Sequence, residues 1–140
     1  MEPTPFDPNS DFATIPFSER QLLLAQKLKD NGLPWHPHVG CFVWDTEQYI
    51  QPRSPFPNGV YFILSMSRFV GIFGSREMLK EKLVWIPTWH QARLLCHRMG
   101  IKDNSITRMW HEHDFKKPGD EILALYQLLL SALIVESVDE

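Results

Sequence analysis

Apolar positions along this chain recur about every four residues in some stretches and every second residue in others, which separates helices from strands. Leu22, Leu24, Ala25 and Leu28 lie on or near one helical stripe. Ser18 supplies an N-cap oxygen, Gln21 completes a capping box, and Glu19 complements the positive helix end. Gly32 and Pro34 stop the run, so the pattern predicts a helix over about 18–31.

The next forty residues change spacing. Val39 to Trp44 is rich in β-branched and aromatic side chains and predicts a strand. A turn at Asp45-Thr46-Glu47 and a short return at Tyr49-Ile50 follow. Pro52, Pro55 and Pro57 then impose a stiff loop ending at Asn58-Gly59. Val60, Phe62, Leu64 and Met66 alternate on one face, and Phe69 to Phe73 resumes strand character. Together they predict a tight hairpin turning at Ser67-Arg68, central in a sheet because both faces are apolar.

Helical spacing returns after Gly74. Ser75 opens a short helix over about 76–83, and Val84-Trp85-Ile86 reads as a strand or connector closed by Pro87. Thr88 and Gln91 repeat the capping box, and Gly100 ends a helix over 88–99 that buries Trp89, Ala92, Leu95, Cys96 and Met99. Residues 101–117 fit either a short helix capped at Asn104-Ser105 or an edge strand over Ile106–Trp110. The last helix runs over about 119–137 with Asp120 and Glu121 at its positive end. Ile122, Leu125, Tyr126, Leu129 and Leu133 form one stripe, and Leu123, Leu130 and Ile134 form another. A helix apolar on two sides is sandwiched, and in so small a protein a second subunit is one candidate for the outer layer.

These elements predict a single α+β domain over 18–140, preceded by a proline-rich arm over 1–17 that Phe6, Phe12 and Phe17 pin. A small, mainly antiparallel sheet built around 39–73 would carry four helices, with parallel pairing through Val84–Ile86 left open. The chain of 140 residues is long enough for one sizeable core. Its 44% hydrophobic and 22% charged content matches ordinary globular proteins rather than disordered ones. The longest apolar run, Ile122 to Val135, is too short for a confident membrane span.

Charge is uneven. Residues 1–67 carry −3, residues 68–117 carry +5 and residues 118–140 carry −5. The basic middle and acidic tail balance within one chain or between two, and the tail opposes nucleic acid, which makes it an unlikely partner. Cys41 and Cys96 form neither a disulfide framework nor a metal motif. With no signal-like start, they predict reduced, buried thiols in a cytoplasmic protein.

Candidate chemistry lies in two histidine pairs, His36-Pro37-His38 and His111-Glu112-His113-Asp114. Two imidazoles two residues apart share one face of an extended strand, as a two-ligand half-site requires, whereas a helix turns them about 200° apart. His36, His38, His111, His113 and Asp114 would hold a divalent transition metal such as zinc only if both segments are extended and converge. The other reading is two polar loops. His90, Arg93 and His97 share a weakly basic stripe of the 88–99 helix, suited to a carboxylate or phosphate or to solvent. Arg53 and Phe56 sit on the stiff loop, where rigid anchors suit an interface. Trp35, Trp44, Tyr49, Phe56, Tyr61, Trp85 and Trp110 line a small-molecule pocket or peptide groove, or else form core. The function expected is a non-enzymatic cytosolic binding or protein-interaction module, cofactor-free and self-associating as a homodimer through the C-terminal helix. The alternative is a metal-dependent hydrolase or lyase built on the two histidine pairs.

Overall fold

Side-chain oxygens set where the helices begin. Ser18 Oγ accepts from Gln21 N at 3.2 Å and opens α1 (Glu19–Asp30). Thr88 and Gln91 form a complete capping box, with reciprocal bonds of 3.2 and 3.0 Å, at the start of α4 (Trp89–Arg98). Ser75 accepts from Met78 N at 3.1 Å and opens α3 (Arg76–Lys82). The computed structural model describes residues 5–139, with side chains through Val135. The first four residues of the arm, and the tail charges at Glu136, Asp139 and Glu140, lie outside the described side chains.

Three short strands, β1 (Phe42–Trp44), β2 (Val60–Phe62) and β3 (Val84–Ile86), form one antiparallel sheet in the order β2-β1-β3. Phe42 lies between Phe62 and Ile86, Val43 between Tyr61 and Trp85, and Trp44 between Val60 and Val84. Pairing of β3 is therefore antiparallel, and the central strand is β1. The expected hairpin over 60–73 is absent. After β2 the chain turns into α2 (Met66–Phe73), where Ser65 Oγ accepts from Arg68 N at 3.4 Å. The apolar residues of this short run fit both spacings, and the Ser65 cap suits the helix. The return strand at Tyr49-Ile50 is likewise absent. Both backbone N–H groups there donate to the buried Asp45 carboxylate, at 3.1 and 2.8 Å.

Residues 101–117 take the helical alternative as α5 (Asp103–Glu112), though Lys102 precedes it without a side-chain cap. The last helix, α6 (Asp120–Asp139), packs against α1, α4 and α5, and α1 also packs against β3. The result is a single α+β domain with six helices among the described residues, two more than the four expected. Leu125, Tyr126 and Leu129 are fully buried. The Tyr126 hydroxyl donates to Pro87 C=O and accepts from Gln21 Nε2 at 3.2 Å, while Gln21 Oε1 accepts from Phe17 N at 3.0 Å. One buried polar chain thus ties the arm, α1, α6 and the end of β3 together. No helix among the described residues is long and apolar enough to cross a membrane.

The arm returns to the sheet. Phe6 N donates to Pro55 C=O at 2.7 Å, and the Phe6 and Phe17 rings lie 5.7 Å apart. Phe12, expected to help pin the arm, is instead wholly exposed at 100%.

Candidate functional site

The two histidine pairs differ in backbone. From Trp35 to His38 exposure alternates, with Trp35 and Pro37 inward and His36 and His38 outward, as in an extended segment. His111 and Glu112 belong to α5 instead, and His113 is its C-cap. The second pair is therefore no strand half-site, because the helical turn separates its imidazoles. His113 Nδ1 donates to Met109 C=O at 2.9 Å, sealing the helix end, and its ring stacks on Phe115 at 5.8 Å. Asp114 is exposed beyond it. Among the described residues no three His, Cys, Asp or Glu side chains are grouped to hold a metal ion.

The other candidates do not assemble either. His90 and His97 are exposed on α4, and Arg93 is half-buried, its Nη2 lying 3.9 Å from Asp103. Nη1 of Arg93 is buried without a partner. Arg53 is exposed, but Phe56 is not displayed beside it. Its ring lies 5.3 Å from Phe17 and 5.5 Å from Phe42, where it is part of the packing around the sheet. Cys41 and Cys96 are buried, and burial pushes the Cys96 thiol up despite nearby Arg93, away from nucleophilic character.

The structure does assemble an aromatic groove that local patterns do not reveal. Its volume is about 880 Å³, and it lies between the arm, Trp89, Trp110 and the start of α6. Trp89 was expected on the buried stripe of α4. Ala92, Leu95 and Cys96 do face inward, but Trp89 occupies the first helical position after the cap and is 37% exposed. Trp110, on α5, is 45% exposed and lies 5.7 Å from Trp89, with Phe115 4.8 Å beyond. These rings come from two helices and the turn after them, so no sequence spacing joins them.

Close contacts hold the far end of the groove. Gly119 has φ +102°, and a Cβ there would meet Pro16 Cγ at 3.2 Å. The absent side chain lets the arm lie against the start of α6. Asp120 Oδ2 accepts from Lys116 N and Lys117 N at 3.1 and 3.2 Å, fixing the turn that enters α6. Charges of both signs surround the groove: Arg20 and Lys117 against Asp11, Asp120 and Glu121.

The apolar stripes of α6 are mostly used within the chain. Leu123 is buried and Leu130 packs against the core, which leaves Ile134 and Val135 exposed. The chain matches no protein-family model, no curated protein and no solved structure.

Proposed function

We propose that this protein is a binding module that associates with a second copy of itself through the aromatic groove. The observation that carries the reading is the wholly exposed Phe12 beside the exposed Trp89–Trp110 pair on one face. A projecting ring and an aromatic hollow on the same surface are complementary to each other under a two-fold rotation. The mixed charges satisfy the same symmetry, because Arg20 and Lys117 of one copy can meet Asp11, Asp120 and Glu121 of the other. Covering Phe12 and the exposed parts of Trp89 and Trp110 removes roughly 400 Å² of apolar surface per copy. That is about half of what one partner contributes to a stable interface, the remainder being polar rim. This route uses the start of α6 rather than its outer stripe.

Sedimentation equilibrium over a concentration series tests the proposal. The wild type should approach twice 16.4 kDa in the micromolar range. Phe12→Ala and Trp110→Ala should each raise the dimer dissociation constant by about 30-fold, as expected for aromatic anchors. A wild type that stays at 16.4 kDa through high micromolar concentration would overturn it. A dimer unaffected by both variants but lost on Val135→Glu would place the contact on α6 instead.

A further inference from the structure

A second cavity, of about 410 Å³, lies between the end of α1, α3 and β3 and shares no lining residue with the groove. Two tryptophans wall it, Trp35 from the segment after α1 and Trp85 from β3. Their rings stack at 11° with centroids 6.0 Å apart, and each residue is only 8% exposed. Both indole Nε1–H groups are buried, and neither meets an acceptor among the described residues. An indole nitrogen can only donate, and a buried Trp normally finds a partner for it. Two adjacent failures on one cavity wall form a pattern that packing alone does not require.

The third donor is Lys29. Its ammonium gives hydrogen bonds to Glu81 C=O and to Leu83 C=O at 3.0 Å, which leaves one N–H and the positive charge uncommitted. Burial pushes its pKa down, against the opposing pull of Asp30 and Glu81. The remaining charged groups on the cavity are Lys80, Glu77 and Glu81, all exposed residues of α3. The rest of the wall is apolar, with Ala25, Leu33 and Pro34 beside the indole rings.

We propose that this cavity is a small-molecule site for an aromatic monocarboxylate. Unpaired donors call for a ligand that brings acceptor oxygens, and they disfavour a cationic or donor-bearing one. The Lys29 ammonium supplies the matching charge, as in other charge-assisted carboxylate contacts. One carboxylate oxygen would meet Lys29 and the other an indole N–H, which requires the wall to open because both indole nitrogens are buried. The stacked indoles and the apolar wall then take a flat ring. Glu77 and Glu81 make a second negative charge on the ligand unfavourable, which limits it to one carboxylate.

The five tryptophans give five indole N–H resonances in a nitrogen–proton correlation spectrum, a direct readout of these donors. Trp35→Phe and Trp85→Phe assign the two that matter. Benzoate, phenylacetate and 2-naphthoate, titrated separately into the wild type, are the probes, with benzylamine as the cationic counterpart. At least one carboxylate should move the Trp35 and Trp85 resonances downfield and saturably while Trp89 and Trp110 stay in place. Lys29→Met, on a partly exposed side chain, should weaken that binding about tenfold or more. The proposal is overturned if none of the three moves either resonance, if benzylamine moves them equally, or if Lys29→Met binds as tightly as the wild type.

Discussion

The protein holds two tryptophan pairs at nearly the same separation in opposite circumstances. Trp35 and Trp85 stack at 6.0 Å and are largely buried, with both N–H groups unpaired among the described residues. Trp89 and Trp110 meet edge to face at 5.7 Å, and both remain substantially exposed. The first pair contributes dispersion and burial to the fold but leaves buried donors unsatisfied. The second pair keeps a substantial part of both rings exposed. Identical side chains thus end up buried or exposed according to where the backbone places them.

Stability measurements should separate the pairs most sharply. Trp85→Ala removes a buried indole from the sheet and should cost about 3–5 kcal/mol in urea denaturation. Trp110→Ala, at an exposed position on α5, should stay within about 0.5–1 kcal/mol in the monomer. Equal losses would mean that the Trp89–Trp110 pair is core after all.

A smaller effect distinguishes satisfied donors from unsatisfied ones. Tyr126→Phe keeps the ring but leaves Pro87 C=O and the Gln21 amide without their partner, which should cost about 1–3 kcal/mol. A neutral result would show that the buried polar chain is as dispensable as the unpaired indole donors.

The smallest effect is in alkaline solution. Burial raises the Tyr126 pKa from its ordinary value of 10.0, opposed by the Gln21 hydrogen bond. Above pH 10 the unfolded chain loses this proton while the folded chain keeps it, so stability falls as pH rises. The stability gap between wild type and Tyr126→Phe should therefore narrow there, by about 1.4 kcal/mol per pH unit at most. Comparing these two proteins cancels the opposite contribution of Lys29, whose pKa burial lowers. A gap constant from neutral pH to above pH 10 would contradict the assigned burial of the phenol.

The parts of the fold legible in the sequence were those with local chemistry. Ser18, Ser75 and Thr88 mark helix starts through bonds spanning three residues, and α6 declares itself by length. The hairpin failed because the apolar residues between Val60 and Phe73 fit strand and helix spacing alike, and Ser65 offers a cap for the helix. The metal half-site at His111–Asp114 failed for a related reason. Its premise was an extended backbone, whereas α5 continues to Glu112. Trp35, Trp85 and Trp110 were legible as candidate pocket-lining rings, and all three do line cavities, but which rings share one was not. Trp35 and Trp85 are 50 positions apart, Trp89 and Trp110 are 21 apart, and only tertiary packing brings each pair together.

The stiff proline loop has a consequence for the sheet. Ser54 Oγ donates to Val60 C=O, and the Tyr61 hydroxyl donates to Pro52 C=O at 2.7 Å, so the loop lies alongside β2. Prolines at 55 and 57 have no N–H to offer a neighbouring strand. The loop therefore acts as a stop at one end of the open edge, where the uncharged strand Val60–Phe62 would otherwise offer its backbone to another strand. Growth of the sheet is discouraged on this side by backbone that has no donor to offer.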